Sequence, residues 1–338
     1  MRGANLHNKK GSFMKALVFA QAGVAEVADV AEPSLGENEI LVALRQVGIC
    51  HSDFDLLADN YIIPVRFPII PGHEWAGEIV DIGSEVRKFA VGDRIVGECT
   101  VNGGADHFGF SISGAAAQLF KIREDWAHTL PDELSWQQGA TVEPFSCAFH
   151  AIDRVGGVKP GDTVAVIGGG PIGLSAIAAA SAMGARAVLI EPTAHRRGLG
   201  TELGAHDVID PTAAQAGDQV RELTSGVGAD VVIEASGNPA AMASALEIAS
   251  FRGRLGFIGI NVGGTAPAAL GLIQSKALSM SGTIGSPDIW PETIRFMSAT
   301  GLDLSPMITS TFELEDAESA LAASEDRATN VKVQITNV

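Results

Sequence analysis

The chain has 338 residues, 46% hydrophobic and 19% charged, and a formal net charge of -17. This length accommodates one large domain or two ordinary ones, the composition excludes a disordered chain, and the acidic surface repels nucleic-acid backbones and acidic membranes. Three cysteines, Cys50, Cys99 and Cys147, are too sparse for a disulfide framework and fit a reducing, cytoplasmic setting.

Residues 1–13 hold no long apolar signal region and read as an extension, with the first strand starting in MKALVFA at Met14. From there to about Arg45, short apolar runs are cut by Gly, Pro and Asn, the rhythm of strands and turns. WAGEIVDIGSEVRKFAVGDRIVGE continues that rhythm and predicts a compact β-rich domain, and SWQQGATVEPFSCAFHAIDRV predicts two short helices. After Gly157 the pattern changes. DTVAVIG is a strand, GGPIGLSAIAAASAMGA a Gly-rich turn entering an Ala-rich helix, and AVLIE the next strand. Strands and helices then alternate to about residue 290, which predicts a parallel sheet covered on both faces. The last stretch, PETIRFMSA to VKVQITNV, reads helix, strand, helix, strand, and either closes that sheet or returns to the first domain. No apolar run approaches the roughly 18 residues of a transmembrane helix.

Gly168, Gly170 and Gly173, with Pro171 and Ile172 between the last two, form G-x-G-x-x-G after a strand and at the start of a helix. The first Gly permits the tight turn, the second the approach of a pyrophosphate, and the third close helix–strand packing. Glu191 ends the second strand, where a carboxylate accepts hydrogen bonds from an adenosine ribose and repels a 2′-phosphate. The expected cofactor is therefore NAD rather than NADP. Arg196 and Arg197 oppose that choice, since either can reach a phosphate; Arg196 alternatively lies against the adenine. Ser236, Gly237, Ile258 and Gly259 are assigned to the same cofactor site.

Cys50, His73 and Glu143 offer one sulfur, one nitrogen and one oxygen donor, a set that suits a catalytic zinc. Read by spacing alone they equally fit a buried Cys, a core His and a helix-start Glu. Asp53, three residues after Cys50, is placed to hold the second ring nitrogen of a ligand His, and Glu74 adjoins His73.

These segments resemble the medium-chain zinc-dependent alcohol dehydrogenase superfamily, in its polyol (sorbitol), butanediol and threonine dehydrogenase branch. The carrying motifs are G-[IV]-C-x-[ST]-D at Gly48–Asp53, G-H-E-x-x-G at Gly72–Gly77, and E-P at Glu143–Pro144, followed by the Gly-rich loop. The match runs from Met14 to the C-terminus. It implies an α/β chain with a GroES-like β-rich catalytic domain (14–150 and 291–338) and a Rossmann doubly wound parallel-sheet cofactor domain (151–290).

The resemblance also implies roles. Cys50, His73 and Glu143 are metal ligands, and Glu74 is an acid that approaches the zinc. Ser52 touches the substrate oxygen. Many relatives end the proton relay on a His where this chain has Asp55. His51 faces the cofactor pyrophosphate or is simply exposed. Tyr61, Phe108 and Phe110 are pocket walls or loop packing, and Cys147 is a small neighbour of the nicotinamide or a core residue. Relatives carry four Cys in a loop where this chain keeps only Cys99, so one catalytic zinc and no structural zinc are expected; Asp106 and His107 do not replace four ligands. The expected substrate is an alcohol or polyol, with no nucleic-acid or membrane partner. A homodimer or homotetramer is expected, paired through the strand in RLGFIGINV. A zinc-independent quinone or enoyl reductase, or a non-catalytic NAD(H)-binding protein, would lack the combined metal set and Ser52.

Overall fold

The computed structural model describes residues 12–337, so the expected extension lies outside the described residues apart from Ser12 and Phe13. β1 (Phe13–Gln21) and β2 (Val24–Ala31) form an antiparallel hairpin. β3 (Glu39–Ile49) buries Ile40, Val42, Leu44 and Gln46 and leaves the residues between them half-buried, the period of two of a strand covered on one face. Beyond Gln46 both faces are covered. α1 (His51–Leu57) follows at once. Next come β4 (Glu74–Ile82), β5 (Arg94–Gly97), a small hairpin of β6 (Thr100–Val101) and β7 (Asp106–His107), β8 (Leu119–Arg123) and β9 (Ala127–Thr129). β3, β4, β5 and β9 are antiparallel neighbours in that order, and β8 pairs with β3.

The two expected helices are α2 (Trp136–Gly139) and α3 (Val142–Arg154). After them the chain runs β10 (Thr163–Ile167), α4 (Pro171–Ala182), β11 (Arg186–Ile190), α5 (Ala194–Glu202), β12 (Asp207–Ile209) and α6 (Ala216–Leu223). It continues with β13 (Ala229–Glu234), α7 (Pro239–Ile248), β14 (Ala249–Phe257), α8 (Gly271–Ser275) and β15 (Ser279–Gly282). These six strands form one parallel sheet in the order β12-β11-β10-β13-β14-β15. β10, β11 and β13 are almost continuously buried because helices cover both faces, which is why they read as unbroken apolar runs. The strand order reverses between β10 and β13, opening a crevice at their carboxyl ends.

The structure corrects one expectation here. The strand within RLGFIGINV is β14, and it is internal, paired with β13 on one side and β15 on the other. The free edge is β15, whose four residues, SMSG, are too short and too polar to stand out as a strand in the sequence.

The final stretch forms α9 (Trp290–Thr300), β16 (Ile308–Glu313), α10 (Ala317–Glu325) and β17 (Lys332–Thr336). β17 runs parallel to β16 and antiparallel to β3, so the chain returns to its first sheet. Among the described residues no helix is long and apolar enough to cross a membrane.

Candidate active site

Two strand ends of the first sheet deliver the donor set. β3 passes directly into α1, and Cys50 caps that helix. Its N–H donates to Asp53 Oδ2 at 2.8 Å, which fixes the backbone carrying the thiol. On the neighbouring strand, Gly72 has φ +99°, and a Cβ there would lie 2.9 Å from the Ala116 nitrogen, so only glycine makes this entry into β4. His73 and Glu74 follow. The register sets Glu74 opposite Gly48, where a Cβ would lie 2.2 Å from Glu74 Oε2. One donor atom each from Cys50, His73 and Glu74 all fall within 4.8 Å of one another.

The residues fit a zinc ion. His73 Nδ1 and Asp53 Oδ1 face each other at 3.5 Å, both buried and without a hydrogen-bond partner. An imidazole turned this way by a carboxylate leaves Nε2 for a metal. Burial opposes charge on His73, yet Asp53 and Cys50 outweigh it and hold the imidazole well above its ordinary pKa. A sulfur–nitrogen–oxygen set so rich in negative charge, its nitrogen and oxygen donors buried and its sulfur half-buried, suits a dication.

Glu143, expected as the third ligand, stands outside that 4.8 Å group. It sits in the first turn of α3, with Oε1 3.7 Å from Cys147 Sγ. Burial pushes its carboxyl up to about 7, opposed by His73 and reinforced by Glu74. Glu74 has a different partner. Both its oxygens accept from Lys332 Nζ, at 2.8 and 2.6 Å. Lys332 is 1% exposed and escaped the sequence reading, although a lysine within the apolar strand VKVQI was its signal. Burial opposes its charge, and Glu74 more than restores it.

Ser52 is buried and Asp55 half-buried on α1. Phe110 packs on the His73 ring with centroids 4.5 Å apart and stacks on Tyr61 at 5.0 Å, so this pair walls the metal cluster. Phe108 does not. It is 1% exposed and packs in the core against Trp75 and Phe120, because its neighbour Gly109 turns the chain with φ +82°. Cys147 is buried on α3, and all three cysteines are free. Asp106 and His107 lie in the β6–β7 hairpin, where Asp106 accepts from Asn102.

The second half of the site is the loop between β10 and α4. A Cβ on Gly173 would lie 1.8 Å from the Gly168 carbonyl oxygen, so helix and loop meet as closely as backbones can. Gly170 caps α4 and Pro171 opens it, which points the first N–H groups into the crevice. Glu191 Oε2 accepts from the Gly169 N–H at 2.6 Å and Oε1 from the Thr193 N–H at 2.8 Å, tying this acid to the loop. Arg197, expected as a possible phosphate group, is spent elsewhere: it donates to the carbonyls of Glu191 and Pro192 and pairs with Asp210 at 3.1 Å. Arg196 donates to the carbonyls of Arg327 and Asn330, and its buried Nε has no partner. His51 is exposed and accepts from Arg327 at 2.8 Å, a contact the sequence did not reveal. Ser236, Gly237, Ile258 and Gly259 gather around Glu234. The first two donate N–H groups to its carboxylate and the last two to its carbonyl. Glu234 closes the apolar run ADVVIE much as Glu191 closes AVLIE, a parallel that could have identified it.

Comparison with known proteins agrees with this geometry. Residues 36–132 match the alcohol dehydrogenase GroES-like domain, and 171–299 match the zinc-binding dehydrogenase family. Sorbitol dehydrogenase from Bacillus subtilis (strain 168) is 31% identical over 91% of this chain and 92% of its own. A zinc-binding dehydrogenase from Sinorhizobium meliloti 1021 bound to NADP superposes with a TM-score of 0.90 at 28% identity, over 96% of this chain and 100% of its own. 2R,3R-butanediol dehydrogenase from Bacillus subtilis gives 0.88 at 28% identity, over 96% and 100%. The chain belongs to the medium-chain zinc-binding alcohol dehydrogenase family, with a GroES-like domain joined to a nicotinamide-dinucleotide-binding domain.

Proposed function

We propose that this chain transfers hydride between a secondary alcohol or polyol and NAD. The observation that carries the reading is the cluster of half-buried Cys50 with buried His73 and Glu74, with Glu143 beside it, in a chain that also bears the Gly168–Gly173 cradle. A zinc ion held there would supply Lewis acidity toward the alcohol oxygen, and a nicotinamide bound at the Gly168–Gly173 loop would supply the hydride acceptor. The chain's own groups do the rest. Asp53 holds Cys50 and orients His73. Phe110 and Tyr61 exclude water from the imidazole side. Ser52 accepts the proton of the substrate hydroxyl as it releases its own hydroxyl proton, and Asp55, three residues along α1 and so on the same helix face, takes up the released proton in place of a histidine.

The catalytic part comprises residues 14–150 and 291–338, and the cofactor part 151–290. The return of β17 to β3 supports that division. Glu191 at the end of β11 supports NAD over NADP, and the engagement of Arg197 with Asp210 removes one rival for a 2′-phosphate. Three free thiols support a cytoplasmic location. Initial rates on vicinal diols, sugar alcohols and matched mono-alcohols, each with NAD and NADP, test the reading. Expected are turnover of secondary alcohols, highest for diols, and a higher kcat/KM with NAD that Glu191→Ser narrows. No turnover with any alcohol would overturn the assignment.

A homodimer, or a tetramer of two dimers, forms through β15. Its edge carries unpaired backbone groups, and Met280 on it is 48% exposed. Light scattering at micromolar concentration is expected to give at least twice the chain mass; a monomer mass would refute the pairing.

A further inference from the structure

Glu234 closes β13 beside the point where the strand order of the parallel sheet reverses, and its side chain is fully buried. Its carboxylate accepts from its own loop. Oε1 takes the Ser236 N–H at 2.9 Å and the Ser236 hydroxyl, and Oε2 takes the Gly237 N–H at 3.3 Å. Its carbonyl accepts the N–H groups of Ile258 at 2.9 Å and Gly259 at 3.0 Å, where the chain leaves β14. One residue thus ties down the turns that follow two adjacent strands. Burying a carboxylate among neutral donors costs stability, and an apolar strand end would fold without that cost. What the carboxylate determines is the shape of the turn.

These turns touch the Gly-rich loop and each other. A Cβ on Gly168 would lie 3.0 Å from the Ser236 nitrogen, and one on Gly259 would lie 2.1 Å from the Gly237 nitrogen. Gly237 has φ +65°, and its carbonyl accepts from Asn261 Nδ2 at 2.6 Å. The Gly168 loop, the β13 turn and the β14 turn therefore form one packed unit along the crevice.

The strand order gives this unit two sides. Glu191 ends β11 on one side of β10, and Glu234 ends β13 on the other. A dinucleotide lies across such a switch point with one mononucleotide on each side. With the adenosine on the β11 side, the β13 and β14 turns are left for the nicotinamide half.

We propose that Glu234 is a positioning residue for the nicotinamide half of the cofactor, fixing the Ser236–Gly237 and Ile258–Gly259 turns in the receptive shape. This inference rests on the dinucleotide reading of the crevice. A turn that strays from that shape lowers apparent affinity in proportion to the time it spends misplaced, and only for ligands that reach it. ADP, which carries the adenosine and pyrophosphate alone, does not reach it.

The test uses the full-length, zinc-loaded protein, with NADH bound by fluorescence titration and ADP by calorimetry. Glu234→Gln keeps one acceptor oxygen but turns an NH2 group toward a backbone N–H. It is expected to weaken NADH binding about tenfold, the lower end for losing a hydrogen bond to a charged group, and to leave ADP binding within twofold of the parent. Asp230→Asn is the control. It lies on the same strand at the opposite end, where Asp230 accepts the Thr163 N–H at 2.9 Å, and it is expected to leave both affinities unchanged. If Glu234→Gln does not fold, Asn261→Ala, which frees the Gly237 carbonyl from the crevice side, is judged by the same split between NADH and ADP. NADH binding within twofold of the parent would overturn the proposal. So would an equal loss of NADH and ADP binding, or an equal loss of NADH binding in Asp230→Asn, since either is the signature of a merely structural residue. A parent protein that binds neither NADH nor ADP would instead overturn the dinucleotide reading.

Discussion

Asp53→Ala is expected to weaken zinc binding by about 10–100-fold and to lower kcat with it. The carboxylate serves two ligands at once. Oδ2 accepts the Cys50 N–H at 2.8 Å, and Oδ1 faces the His73 Nδ1 at 3.5 Å. Alanine removes both, and with the first the N3 half of the capping box that opens α1, at a cost of about 1 kcal/mol of stability. Asp53→Asn separates the two functions. Its amide oxygen can restore the cap, but its NH2 group would donate to Nδ1 and so drive the imidazole proton onto Nε2, the nitrogen needed for the metal. Asn is therefore expected to recover stability without recovering zinc affinity. Competition titration against a chromogenic chelator, with thermal unfolding alongside, checks both. Zinc affinity within twofold of the parent in both variants would contradict the assigned role of Asp53.

Gly173→Val is expected to weaken NADH binding by at least about 10–100-fold while leaving the metal cluster loaded. A Cβ at this position would lie 1.8 Å from the Gly168 carbonyl oxygen, a distance no rotamer relieves, so α4 must move away from the loop that presents the cofactor cradle. Overpacking of this kind costs about 1–3 kcal/mol, or roughly 10–100-fold in affinity if all of it falls on the cradle, and the larger valine adds to that. Gly198→Ala in α5 is the matched control. Nothing lies within 4 Å of its Cβ position, and the change is expected to stabilise by up to about 1 kcal/mol. NADH fluorescence titration with parallel zinc analysis separates the outcomes. Parent-like NADH affinity in Gly173→Val would contradict the close-packed cradle.

How far the sequence spoke for itself depended on whether a feature was local. The Gly-rich turn between β10 and α4 was legible because its glycines, the preceding apolar strand and the following helix are contiguous. The parallel sheet was legible for a similar reason, since buried strands carry unbroken apolar runs. β15 was not, because four polar or small residues form a strand only by pairing with β14. The metal cluster was half legible. Cys50 and His73 stand in recognisable motifs, but spacing cannot show that Glu74 rather than Glu143 completes the tight group of donors. That depends on the register between β3 and β4. Lys332 was hidden for the same reason on a larger scale, since its partner lies 258 positions away and meets it only after β17 returns to β3. Phe108 and Phe110 are two residues apart, and only the turn at Gly109 decides that one faces the core and the other His73.

The central claim is that a single zinc at the Cys50–His73 cluster makes this chain an alcohol dehydrogenase. The most direct measurement is elemental analysis of the metal-loaded protein, followed by alcohol oxidation and NADH binding before and after zinc is removed by a chelator. The expected result is about one zinc per chain, loss of alcohol oxidation on chelation with NADH binding retained, and recovery when zinc is returned. Full alcohol oxidation by the metal-free protein would contradict the account.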